Sequence, residues 1–137
     1  GDEGGLQARD GGDQGRAMRL VRSLNRAFHD PSHEAFGQLR GGGGPLWQRE
    51  YDRASGAGGM CQKVERVLAE FGAEQMVIGH NPQVGGRPVL KCGNRLILVD
   101  VGMSRAYYGE LMALECEGGT MSALYPAPLG REVLFQR

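Results

Sequence analysis

The sequence predicts an α/β fold on three observations. A helical apolar pattern that begins at Met60 ends at Gly72 and leads, after a short turn, into an apolar run at Gln75 to Ile78. That run stops at Gly79-His80-Asn81-Pro82, which cannot continue a strand in register, so a strand delivers a histidine to a loop. A second apolar run, Arg95 to Val101, carries an acid near its end, Asp100, ahead of Gly102. Strand ends are where α/β proteins place chemistry, which makes His80 and Asp100 the first candidates.

The chain has 137 residues, enough for one domain with one core. Its 16 basic and 16 acidic residues cancel, so no global field favours nucleic acid, and no apolar run is long enough for a membrane span. Neither nucleic acid nor membrane is expected as a partner. Fourteen of the basic residues are arginine, which beside 24 glycines reads as base-composition bias of the source genome. Cys61, Cys92 and Cys116 are odd in number and far apart, which points away from a disulfide framework or a zinc ribbon and towards a reducing compartment. A soluble intracellular protein of cytoplasm or organelle is the expectation. The start at Gly-Asp reads as a fragment or processed form, with any targeting segment lost.

In chain order, residues 1–15 read as flexible, being Gly-rich and charged. Ala17, Leu20 or Val21, Leu24 and Phe28 then recur at helical spacing, with Arg16, Arg19, Arg22 and Arg26 on a solvated opposite face. Asp30-Pro31 ends that helix, and Ser32 to Leu39 makes a further helical turn with Phe36 and Leu39 inward. Pro31 separates His29 from His33 and disfavours a shared metal site. Gly41 to Gly44 reads as a hinge, with Trp47 as an apolar anchor after it. Ala54 to Gly59 reads as loop. After His80, strands at Val89 to Cys92 and Arg95 to Val101 flank Gly93-Asn94, and strands at Glu110 to Cys116 and Thr120 to Tyr125 flank Glu117-Gly118-Gly119. These four strands imply an antiparallel portion packed on the earlier helices. The helical and loop part is thus 1–72, the strand-rich part 73–125 and the tail 126–137. Glu132 to Gln136 resembles the recognition sequence of a picornaviral protease and is set apart from the functional argument.

A histidine at a strand end serves as a ligand, an acid or base, a nucleophile or a hydrogen-bonded core residue, and Gly79 beside it leaves room for a ligand to approach. Asp100 needs a partner if buried, either the backbone of its own turn or a catalytic group. Arg49 offers a bidentate fork for phosphate or carboxylate, or is an ordinary surface arginine.

Val77-Ile78-Gly79-His80-Asn81-Pro82-Gln83, then Leu98-Val99-Asp100-Val101-Gly102-Met103-Ser104, Tyr107-Tyr108-Gly109 and Ala113-Leu114-Glu115, together resemble the C-terminal half of calcineurin-like metallophosphoesterases. Gly44 to Arg49 resembles the substrate-loop motif of their Shewanella-like protein phosphatase branch, so the resemblance covers about residues 40 to 116. It implies half of a two-layer β-sandwich flanked by helices. It also implies a hydrolase of phosphate monoesters, on protein or small phosphoester, in which two divalent cations (Mn, Fe or Zn) activate water. In that reading His80 is a metal ligand, Arg49 holds a phosphate oxygen, Tyr108 lies at the mouth of the site and Asp100 supports it.

The family's first-half signatures, Asp-x-His, Gly-Asp-x-x-Asp-Arg-Gly and Gly-Asn-His-Glu, are absent from this sequence. Glu3-Gly4-Gly5 falls where a His-Gly-Gly is expected, so Glu3 is either a second, hard ligand or a chance match. One firm ligand is too few for a dinuclear centre, which leaves a non-catalytic phosphatase module or truncated product as the alternative. The Gly-His-Asn-Pro tetrad also resembles the second histidine motif of histidine phosphatases, but the Arg-His-Gly nucleophile loop of that family is missing.

Overall fold

An uninterrupted apolar run suits a strand buried on both faces, and Leu96, Ile97 and Leu98 form such a strand. The computed structural model describes residues 12–53 and 59–137. Among them it is a mixed α/β arrangement of helices and two small three-stranded sheets. The chain divides into two compact units, one reaching to Gln48 and including 69–72, the other made of 49–68 and 73–137.

In the first unit, α1 (Gly12–His29) begins within the stretch read as flexible, and residues 1–11, with Glu3, lie outside the described residues. Its arginines 16, 19, 22 and 26 are exposed, as expected of a solvated face. The apolar stripe is rotated from the expected one. Ala27 is fully buried and packs with Leu24 against Ala35, Phe36 and Leu39 of the α2 region (α2, Phe36–Arg40), whereas Phe28 is 62% exposed. One residue turns a helix by about 100°, so Ala27 and Phe28 cannot both face the same neighbour, and the smaller side chain permits the closer approach. The Asp30 carboxylate accepts from the Ser32 amide and hydroxyl, at 2.9 and 2.6 Å, and turns the chain at Pro31. Those bonds hold the Asp30 carboxyl below its usual range. The expected glycine hinge is a run of turns: Gly41 N–H donates to Gly37, Gly44 N–H to Gly41 and Trp47 N–H to Gly44. A Cβ at Gly44 would stand 2.2 Å from the Gln38 carbonyl oxygen, so only glycine fits. Trp47 is 53% exposed, which corrects its expected role as a buried anchor; the backbone turns hold this segment.

The second unit contains α3 (Glu50–Arg53), α4 (Gly59–Phe71) as far as Leu68, and both sheets. Met60, Val64 and Leu68 recur every four residues along α4, and this stripe packs on Leu96 and Leu98. Gly72, at φ +59°, ends α4 as its sequence position predicts. In the first sheet β1 (Met76–Ile78) lies parallel to β3 (Leu96–Leu98), and β2 (Val89–Lys91) runs antiparallel to β3 on its other side. In the second, β4 (Ala113–Glu117), β5 (Thr120–Leu124) and β6 (Arg131–Gln136) form an antiparallel meander. Both expected hairpins are present. The four strands of those hairpins pair antiparallel as expected, β2 with β3 and β4 with β5, but in two separate sheets, the first of which β1 joins in parallel.

Two expectations are overturned. The tail is part of the fold: β6 pairs with β5 along Leu124 to Thr120, Arg131 bridges to Glu115 at 2.7 Å, and Arg137 pairs with Glu74. Alternation in Val133, Leu134 and Phe135 is broken by a register shift opposite Met121 and Ser122, which weakened the strand pattern in the sequence. Second, Cys61 and Cys92 form a disulfide with Cα atoms 5.2 Å apart. A sequence separation of 31 conceals the pairing, which arises because α4 packs over the β2–β3 turn. Cys116 is a free, exposed thiol.

Candidate functional site

The first sheet positions the candidate histidine. Val99 N–H donates to the Ile78 carbonyl at 2.9 Å, which carries the β1–β3 pairing to the last residue before Gly79. There the chain leaves the sheet and His80 takes φ +70°, a conformation that a non-glycine side chain rarely adopts. A Cβ at Gly79 would meet nothing within 4 Å, so the approach to the loop is open. Asn81 turns inward and is buried, and His80 is exposed.

Arg49, half-buried and immediately before α3, reaches this loop. Its Nη1 donates to the His80 carbonyl at 3.0 Å and to Asn81 Oδ1 at 2.8 Å, and its Nη2 lies 2.9 Å from His80 Nε2. A guanidinium only donates, so Nε2 is the acceptor and the proton of the neutral imidazole sits on Nδ1. Three of the five guanidinium N–H groups are committed in this way. Among the described residues the Nε–H and the second Nη2–H have no protein partner, and such an edge forms bidentate forks with oxyanions.

α3 is short and is held from outside. Lys63 of α4 pairs with Glu50, Lys91 Nζ donates to the Asp52 carbonyl at 2.6 Å, and Gln83 Nε2 donates to Asp52 Oδ1 at 3.2 Å. Gln83 Nε2 also donates to the Asn81 carbonyl at 2.7 Å, and the Gln83 N–H donates to the Asp100 carbonyl at 2.7 Å.

Asp100 is half-buried, and its Oδ1 accepts the Gly102 N–H at 2.9 Å. Of its two sequence readings, the carboxylate bonded to its own turn is the one observed, two residues beyond β3. Gly102 has φ +70°, and a Cβ there would stand 2.6 Å from Tyr108 Cδ2, so the loop depends on glycine for both conformation and space. Tyr108 packs on that glycine and is half-exposed. His29 is exposed, and His33 Nδ1 accepts the Ala35 N–H at 3.1 Å, a local turn contact.

Arg49 and His80 therefore come together, Asp100 joins them through the Gln83 backbone, and Glu3 lies outside the described residues. No three His, Cys, Asp or Glu side chains gather into a metal-binding group among the described residues. The single Nε2 lone pair of His80 is engaged by Arg49, so the described residues do not form a metal centre as they stand. Sequence reasoning missed Asn81, Gln83 and Asp52. Asn81 carried a signal for the turn, since Asn ahead of Pro favours turn initiation, but none for its contact with Arg49. Asp52 and Gln83 carried none, because their contact spans 31 residues.

No family model and no solved structure matches the chain. An uncharacterized protein of Schizosaccharomyces pombe is 34% identical over 71 residues, which is 52% of this chain. The chain spans only 21% of the length of that relative. No helix among the described residues is long and apolar enough to cross a membrane.

Proposed function

We propose that this chain carries the phosphate-recognising corner of a metal-dependent phosphoesterase acting on phosphate monoesters. The observation behind this reading is the seat of Arg49 on His80 and Asn81, which joins two stretches 31 residues apart. The remaining guanidinium edge suits two oxygens of a phosphoryl group, and the hydrogen bonds to His80 and Asn81 fix its direction before any ligand arrives. The resemblance set out above adds two divalent cations and a protein or small phosphoester substrate. His80 would offer one nitrogen to a cation when Arg49 leaves Nε2, and the other ligands would come from outside the described residues.

Calorimetric titration with inorganic phosphate tests the reading. The chain should bind phosphate, Arg49→Ala should weaken binding at least about tenfold, and Arg49→Lys should recover part of it as a point charge without the fork. Equal affinity in Arg49→Ala overturns the assignment. Manganese binding followed by electron paramagnetic resonance tests the metal reading. Binding that His80→Ala removes supports the phosphoesterase. Phosphate binding without manganese binding favours the non-catalytic phosphoryl-binding module.

A further inference from the structure

We infer that Gln83 is the positioning residue that sets Arg49 against His80; this rests on the phosphate-recognition reading and extends it to a residue that would not touch the ligand. Gln83 uses both amide hydrogens. One goes to the Asn81 carbonyl at 2.7 Å, inside the histidine loop, and the other to Asp52 Oδ1 at 3.2 Å, three residues after Arg49. Its backbone N–H goes to the Asp100 carbonyl at 2.7 Å, so the residue is itself fixed to the chain leaving β3. The side chain is half-buried and joins the two segments whose separation fixes the distance from guanidinium to imidazole. Lys63 and Lys91 also restrain α3, but they reach it from α4 and β2; among the three contacts, Gln83 is the one that links α3 to the loop carrying His80 and Asn81. A helix of four residues has little rigidity of its own, so the placement of Arg49 follows from these outside contacts.

The amide is needed as a double donor, and this gives a reciprocal test. Gln83→Glu replaces the donor with an acceptor facing the Asp52 carboxylate and the Asn81 carbonyl, which repels both. Adding Asp52→Asn supplies a new donor across the same gap and restores the link to α3. Two readouts are taken on each protein. The first is the ¹⁵N chemical-shift pair of the His80 imidazole, which reports whether Nε2 is held as the acceptor of Arg49. The second is calorimetric affinity for inorganic phosphate. Gln83→Glu should shift the imidazole away from the Nδ1–H tautomer and weaken phosphate binding about tenfold, and the added Asp52→Asn should recover most of both. A role confined to stability would lower the unfolding midpoint and leave the tautomer of the folded protein unchanged, and that result overturns the inference. An unchanged tautomer in Gln83→Glu overturns it whether or not phosphate binds. If phosphate fails to bind the unaltered chain while the tautomer responds as expected, the phosphate reading falls and the positioning role of Gln83 stands.

Discussion

The Cys61–Cys92 disulfide makes a quantitative prediction. It closes a span of 31 residues that joins α4 to the β2–β3 turn. Cross-linking a span of that length removes about 12 cal/mol/K of chain entropy from the unfolded state, or about 3.7 kcal/mol at 25 °C. Paired replacement Cys61→Ser/Cys92→Ser should therefore lower the urea-derived unfolding free energy by about 3 to 4 kcal/mol. The measurement belongs in a Cys116→Ser background, because the exposed third thiol would otherwise exchange with the bridge. Reducing the bridge in the Cys116→Ser protein should reproduce the loss, and mass spectrometry of the alkylated protein should count two fewer modified cysteines before reduction than after. If the oxidised protein and the double-serine variant unfold at the same urea concentration, the bridge does not constrain the unfolded chain as argued. Two modified cysteines before reduction would mean that it does not form.

Three further outcomes follow from the packing. Leu68→Ala removes a buried side chain from the cluster of Met60, Val64, Leu96 and Leu98 and should cost about 3 kcal/mol in urea unfolding. Gly102→Ala forces a Cβ towards Tyr108 in a left-handed conformation and should cost more than about 1 kcal/mol. Adding Tyr108→Ala should recover only the steric part, so full recovery would refute the conformational part. Burial, and next the nearby Glu132 carboxylate, raise the Tyr125 phenol above its ordinary value, with Arg87 opposing. The folded chain thus holds that proton more tightly than the unfolded one, so the contribution is complete below the unfolded value and lost as pH rises through the folded one. Urea midpoints measured from pH 9 upward should fall less in Tyr125→Phe than in the unaltered chain.

Local pattern made α4, both hairpins and the His80 loop legible, because each is decided by spacing of apolar residues or by glycine at a turn: the turn before β3 carries Gly93 at φ +61° and Asn94 at +68°, as its composition predicts. The pairing partner of a strand is a different matter. Met76 to Ile78 reads as a strand whichever neighbour it takes, and its parallel alignment with Leu96 to Leu98 follows from the packing of α4, which no local pattern encodes. The same holds for Cys61 with Cys92 and for Asp52 with Gln83, contacts created by tertiary packing. Residue type and neighbours single out Arg49 and His80 separately, and the fold brings them within hydrogen-bonding distance. β6 escaped notice for another reason. The register shift opposite Met121 and Ser122 breaks the alternation of its apolar residues, although Met121 to Ala123 on β5 need an outer neighbour.

The left-handed backbone at His80 sets two demands on one position. Holding a non-glycine residue there costs on the order of 1 to 3 kcal/mol, and the carbonyl that accepts from Arg49 would remain with any side chain. Glycine would therefore suit the backbone better than histidine, while the imidazole contact would be lost. Selection for thermal stability alone would drive position 80 towards glycine, and selection for the contact with Arg49 would drive it back. The residue recovered under each kind of selection would show which of the two keeps histidine in this loop.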